Sequence, residues 1–326
     1  MEADDSLTEV ALMVQAARSF YLHGQSKIAI AEHMGISRFK VARLLEAARE
    51  RGIVRFEVVD PTVQAEDLHR YLAQNLQVEK VILVPDPAGP DELREELGRA
   101  AAGFLGAYVR GGMSIGVSWG RTLACIGRYL PLLPPINLVQ LTGMLEADAQ
   151  QSPLRIIASI ADNRPYRTFA LAAPMFASSA QLAERLRREP STVQVMERYD
   201  SLDVALLSVG SWTERITQLD KVLPAADVAE LDRAQVVADC AGLFFASDGT
   251  AVKTALGRRR ISVSVEQLRH TRQVVAVAGG VEKAQAILAM VRSGVINTLV
   301  TTTATAARIV QLDKLDRAQK KSPERA

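Results

Sequence analysis

"QVVAVAGGVEKAQAILAMVRSGVINTLVTTT", residues 273–303, sets the architecture of most of this chain. It opens on a β-branched apolar run, breaks at Gly279 and Gly280, continues as a helical pattern over 282–292, and returns to apolar strand at 298–303. Strands without polar alternation, separated by helices, are what a parallel sheet covered on both faces requires, since neither side of such a strand meets water. The same rhythm runs upstream. Strands are predicted at 80–85, 113–118, 137–143, 166–173, 203–210 and 235–246, with helices over 91–109, 120–130, 153–162 and 178–199. The expected fold class is α/β, a Rossmann-like parallel-sheet domain over residues 61–326.

Ligands of such sheets sit outside the carboxyl ends of the strands, so the strand-to-helix junctions are the candidate site. In "GVSWGRTL" (116–123) a strand ends at Ser118, Gly120 admits a close backbone approach, and Arg121 and Thr122 open a helix, which makes a cradle for an anion. Gln140 and Gly143 close a strand in "QLTGM" (140–144), and Gly210 turns the chain in "SVGSW" (208–212). Lys283 stands in the first helical turn after Gly279 and Gly280, placed to meet phosphate. Each junction alone reads equally well as a tight turn. Together, on one edge of one sheet, they point to a phosphorylated small molecule. Neither GxGxxG nor GxxxxGK[ST] occurs at these turns, which argues against a dinucleotide or ATP, and no cofactor or metal is expected.

A different pattern precedes this region. In "SKIAIAEHMGISRFKVARLL" (26–45) Ser26 can cap a helix that Gly35 ends, and Ser37 can cap the next. Helix, three-residue turn, helix is the helix-turn-helix layout. Val41, Leu44, Leu45 and Ala48 share one apolar stripe, which leaves Phe39 and Arg43 pointing away and Arg38 and Lys40 on the flanks. Residues 1–60 carry eight Lys/Arg against nine Asp/Glu, but 38–55 carry six against two. The positive charge therefore belongs to one element, as phosphate contact requires. The candidate DNA contacts are Ser37, Arg38, Phe39, Lys40, Arg43 and Arg55, the last on a strand 53–59 expected to form a wing. An amphipathic surface helix with a solvated basic face is the plainer alternative. The DNA-binding domain is taken as residues 1–60, closed by Pro61. The segment 62–76 reads as a linking helix whose Leu68, Leu72 and Leu76 serve either as a dimer seam or as packing for the larger domain.

The 326 residues contain no apolar run long enough to cross a bilayer, and the acidic N-terminus lacks the features of a secretory signal, so a cytoplasmic location is expected. Cys125 and Cys240 lack metal-ligand spacing and read as buried free thiols.

The order of helix-turn-helix, "GVSWGRTL", "QLTG", "DVALLSVGS", "ADCAGLFFASDG" and "VAVAGGVEKAQAILAMVRSGVINTLVTT" resembles the SorC-type sugar-binding transcriptional regulators along essentially the whole chain. The resemblance implies an effector domain similar to ribose-5-phosphate isomerase and glucosamine-6-phosphate deaminase, binding a phosphorylated sugar that changes operator affinity. It further implies that Ser118, Gly120, Arg121 and Thr122 hold phosphate, with Gln140, Asp239 and Lys283 around the sugar. Two positions depart from the family pattern: Thr302 stands where members commonly have Asp, and Met144 where they have a second Gly. The expected partners are double-stranded operator DNA, a phosphorylated sugar and further copies of the chain as a dimer or tetramer, with no membrane. No catalytic residue is expected. The rival readings are a sugar-phosphate isomerase or deaminase using Asp239 or Asp248 as base, and a regulator whose effector site is inactive.

Overall fold

The structure, a computed structural model, describes residues 2–54, 65–145, 152–161 and 166–320. Its contacts divide into two units, Met1–Val59 and Asp60–Ala326.

In the first unit α1 (Glu2–Ala17) runs into a π-helical turn at Arg18–Leu22 and is followed by α2 (Lys27–Met34) and α3 (Arg38–Glu50). Both caps form as their chemistry dictates: the Ser26 hydroxyl accepts from Ala29 N at 3.2 Å and the Ser37 hydroxyl from Lys40 N at 3.2 Å. Gly35, at φ +65°, takes the left-handed conformation that ends α2 and redirects the chain. Val41, Leu44, Leu45 and Ala48 of α3 close a core with Ile30 and Ala31 of α2 and Met13, Ala16 and Ala17 of α1. Residue 55, and with it the wing expected at 53–59, lies mostly outside the described residues.

The second unit opens with α4 (Ala65–Leu76) and a seven-stranded, wholly parallel sheet. Its strands are β1 (Lys80–Val84), β2 (Ser114–Val117), β3 (Asn137–Gln140), β4 (Arg167–Phe169), β5 (Val204–Leu207), β9 (Gln273–Val277) and β10 (Thr298–Thr302), in the order β1-β10-β9-β5-β2-β3-β4. Successive residues feed opposite layers: Val204 and Leu206 join the core beneath α5 (Pro90–Tyr108) and α8 (Pro153–Ala161), while Ala205 and Leu207 join the one beneath α14 (Ala284–Arg292) and α15 (Thr303–Lys320). Burial on both faces is why these strands read as unbroken apolar runs. Short helices α6 (Arg121–Ala124) and α7 (Ile126–Tyr129) follow β2; α9 (Ala180–Arg188), α10 (Pro190–Met196), α11 (Ala225–Arg233), α12 (Ala255–Arg258) and α13 (Val265–His270) fill the later connections.

One expectation needs revision. The run 235–246, read as one more strand of the parallel sheet, is a hairpin: β7 (Ala238–Cys240) and β8 (Leu243–Phe245) pair antiparallel in a separate small sheet with β6 (Gly210–Ser211). Ala241 at φ +51° and Gly242 at φ +74° make the two-residue turn, and paired positive φ values match the twist of the flanking strands. Of the two readings of Leu68, Leu72 and Leu76, packing is the one observed: all three are buried in the core of the second unit. Cys125 and Cys240 are buried free thiols.

Candidate functional site

The sheet order reverses at one place. From β2 the chain builds outward through β3 and β4; from β5, on the other side of β2, it builds outward through β9 and β10, which ends against β1, the first strand. Loops leaving β2 and β5 therefore diverge, and the crevice between them is where a ligand has room. An open cavity of about 740 Å³, the solvent at its mouth included, occupies that crevice.

Three loops build it, and side chains stitch them together. After β2, Trp119 O accepts a 2.7 Å hydrogen bond from the hydroxyl of Ser208, which follows β5. Gly120 has φ +148°, and a Cβ there would stand 2.4 Å from Ser208 Oγ, so only glycine lets these loops meet. After β9, Lys283 Nζ donates to Val209 O at 2.9 Å. The Gly279–Gly280 turn that delivers Lys283 is held from behind: Gly280 N donates to Thr305 Oγ1 at 3.0 Å, and Thr305 Oγ1 shares a 2.8 Å hydrogen bond with Thr302 Oγ1. Thr302, where the family pattern has an acid, is thus a buried support for the loop.

The small sheet brings in the acid. Asp239 of β7 lies opposite Gly210 of β6, and its Oδ1 is buried with no hydrogen-bond partner among the described residues. Burial pushes the Asp239 carboxyl up to about 6, against the opposing pull of the Thr217 hydroxyl and the Lys283 charge. Burial also brings the Lys283 ammonium down to about 8, opposed by Asp239 and reinforced by the cation of Arg121. Arg121 is itself lowered by partial burial and then by repulsion from Arg94, which reaches the cavity from α5. The result is a crevice lined by three cations, Arg94, Arg121 and Lys283, together with Glu282 and the unpaired carboxylate oxygen of Asp239. Gln218, which also lines the cavity, has a buried Oε1 with no partner among the described residues. Unpaired buried acceptors beside a cationic wall can bind a molecule that carries hydroxyl donors at one end and an anion at the other.

Of the residues singled out in the sequence, Gly120, Arg121, Thr122, Gly210, Asp239 and Lys283 come together in this cavity. Ser118, Gln140 and Gly143 do not. Ser118 is fully buried and its hydroxyl donates to Trp119 O at 3.4 Å. Gln140 is buried with both ends of its amide used: Nε2 donates to Thr142 O at 2.6 Å and Oε1 accepts from Leu171 N at 3.0 Å. Gly143 makes room for a backbone, since a Cβ there would stand 2.4 Å from Pro174 O. Met144 is 47% exposed and lies outside the cavity lining. Arg94, Ser208, Thr217 and Gln218 line the cavity without having been singled out. Arg94 carried a usable signal, being a cation in the second turn of the helix that leaves β1.

On the first unit, Ser37, Arg38, Phe39, Lys40 and Arg43 are all exposed on α3. Phe39 is 69% exposed, and the Arg38 guanidinium lies 4.9 Å from its ring centroid. This face carries three cations and an apolar tip and is opposite the packed stripe. Arg55 falls outside the described residues.

Comparisons with known proteins bear on both units. Residues 60–311 match the family model described as "Putative sugar-binding domain". The chain is similar to the transcriptional regulator LsrR of Klebsiella pneumoniae, 29% identical over 324 residues, covering 94% of this chain and 95% of that one. It is similar to the erythritol catabolism regulatory protein EryD of Brucella abortus, 26% identical over 314 residues, covering 95% and 98%. Among solved structures, the full-length sorbitol operon regulator SorC of Klebsiella pneumoniae superposes with a TM-score of 0.71 at 23% identity, over 93% of this chain and 99% of that one. With the family model spanning the whole parallel sheet and the full-length fold shared through the helix-turn-helix, the chain belongs to the SorC-type sugar-binding transcriptional regulators.

Proposed function

We propose that this chain reads operator DNA with α3 and that a phosphorylated sugar, bound in the crevice between β2 and β5, alters its affinity for that DNA. The observation that carries the reading is the convergence of Arg94, Arg121 and Lys283 with Asp239 and Gln218 in one cavity at the point where the sheet order reverses. A phosphate meets the cations; sugar hydroxyls donate to the two orphaned acceptors. In this reading residues 1–60 are the DNA-binding domain and 61–326 the effector and oligomerisation domain, and the protein acts in the cytoplasm as a symmetric oligomer, because paired half-sites call for paired recognition helices. Arg38, Lys40 and Arg43 are assigned to phosphates or guanine edges and Phe39 to a thymine methyl.

The test is an electrophoretic mobility shift with the DNA upstream of the chain's own gene, repeated with sugar phosphates and with the same sugars unphosphorylated. A phosphorylated member of the panel should shift the half-saturation point, and its parent sugar should not. Equal effects of both forms would remove phosphate from the reading. The carboxyl of Asp239, raised to about 6 beside a lysine, also suits a proton-transfer role in an isomerase. Incubating the protein with the same panel and following the sugar C1 and C2 protons by NMR distinguishes a sensor, which leaves them unchanged, from an enzyme.

A further inference from the structure

A second cavity lies at the other end of α14. The helix starts beside Lys283 and ends at Arg292, and nine residues at 1.5 Å each put about 13 Å between its ends. Around Arg292 and Ser293 opens a groove whose other walls are the Ala241–Gly242 turn of the β7–β8 hairpin and α12. Arg260 projects into it. The Nε of Arg260 is sealed from solvent and has no hydrogen-bond partner among the described residues. Its aliphatic stem is wedged beneath the turn, with Cδ 3.2 Å from where a Gly242 Cβ would stand.

A guanidinium whose Nε is sealed and unpaired is costly, and of the acids that line the groove, Glu230, Asp248 and Glu266, only Glu266 partly offsets its charge. Arg187, whose own guanidinium donates to Arg258 O and Arg260 O, adds a second positive charge. Burial, and after it the repulsion from Arg187, lowers the Arg260 guanidinium to about 10, with only Glu266 opposing. Glu266 is exposed, and its carboxyl is held low chiefly by its own backbone N–H and by Ser264 at the start of α13. Lys253 and Arg258 line the same groove, and Phe244, Val252 and Val265 supply an apolar wall beside the cations. A planar fork of donors whose Nε has no acceptor among the described residues, in a concave groove where Lys253, Arg258 and Arg269 stand beside Glu230, Asp248 and Glu266, matches a phosphate group, which accepts two parallel N–H bonds.

We propose that Arg260 marks a second anion site, distinct from the crevice at Lys283, which takes phosphate or a phosphomonoester. It stands whether or not the first crevice binds sugar phosphate.

The test uses the full chain and inorganic phosphate, followed by isothermal titration and by thermal shift. In an Arg121→Ala/Lys283→Ala background phosphate should still bind, and adding Arg260→Gln should weaken that binding by at least about tenfold, the scale of one charged hydrogen bond. Arg260→Gln alone should raise the melting temperature in phosphate-free buffer, because it removes an incompletely compensated charge, and in the Arg121→Ala/Lys283→Ala background it should abolish the further rise that phosphate produces. Arg258→Ala, at an exposed position, repeats the measurement without disturbing the interior and should weaken binding several-fold. The proposal is overturned if the Arg121→Ala/Lys283→Ala protein no longer binds phosphate, or if Arg260→Gln leaves its affinity unchanged. It is equally overturned if phosphate never binds and Arg260→Gln instead dissociates an oligomer in sedimentation, since the partner of Arg260 would then be a carboxylate of another copy.

Discussion

The carboxylate of Asp239 occupies the space that a side chain on Gly210 would need: a Cβ there would stand 2.2 Å from Asp239 Oδ1. The acid is therefore aimed into the crevice by the absence of a methyl group on the opposing strand. Gly210→Ala should push the carboxylate aside, weakening sugar-phosphate binding at a cost in stability of about 1–3 kcal/mol from overpacking. Calorimetric titration alongside thermal melting checks both. Unchanged affinity in a folded variant would mean that Asp239 does not touch the ligand.

Asp239 also sets a pH signature. Its carboxyl in the folded state, at about 6, lies above the ordinary value of 3.8, so folding penalises the charged form. That penalty is complete above pH 6 and vanishes below pH 4, because an unfolded chain gives up the proton first. Asp239→Asn should accordingly stabilise the unliganded protein by roughly 1–3 kcal/mol at pH 8 and by almost nothing at pH 4. Urea denaturation at the two pH values measures the difference, and a gain of equal size at both would assign the effect to packing.

Lys283 titrates on the other flank. With its ammonium lowered to about 8, the cationic wall loses a charge as pH rises through 8, while a phosphomonoester is already fully ionised. Sugar-phosphate affinity should fall between pH 7 and pH 9. In Lys283→Arg the fall should disappear, since guanidinium keeps its proton throughout that range. The same slope in both proteins would place the titrating group elsewhere.

On α3, Arg43 and Leu45 should separate cleanly. Arg43 is exposed and Leu45 is 4% exposed. Arg43→Ala should weaken operator binding by about 1–3 kcal/mol with no change in melting temperature. Leu45→Ala should destabilise the helix-turn-helix by about 2–5 kcal/mol. Fluorescence anisotropy with labelled operator, run beside thermal melts, compares the two.

Most of the parallel sheet was legible because double burial leaves a one-dimensional mark: Val204 to Leu207 and Val274 to Val277 are apolar at every position since each alternate residue has its own layer of helices to meet. Caps and the Gly35 turn were legible for the same reason, each being a local demand met by a local residue. Long-range pairing leaves no such mark. The apolar run through Ala241 conceals a hairpin because alanine, rather than glycine or asparagine, takes the first left-handed position of the turn. Gln140 sits at a strand end as a ligand contact would, yet its amide is consumed by Thr142 and Leu171. Which way a strand-end side chain faces depends on the register of β3 beside β2, and a linear pattern cannot supply that. Arg94 was passed over for the complementary reason, since the rotation of α5 about its axis decides that this arginine, rather than a neighbour, faces the crevice.

The pairing of β1 with β10 has a consequence for synthesis. Lys80 is matched to Thr298 and Val84 to Thr302, so the first strand after the helix-turn-helix in sequence has its only partner among the described residues 218 residues further on. Loops of that length close slowly. On the ribosome the first three helices, with a core of their own, are complete early, whereas β1 waits with an unpaired edge until the chain is almost fully made. A message truncated between codons 85 and 298 therefore yields a protein with its first three helices assembled and its sheet unclosed, and such a fragment exposes the strand edge and the leucines of α4 to chaperones and proteases.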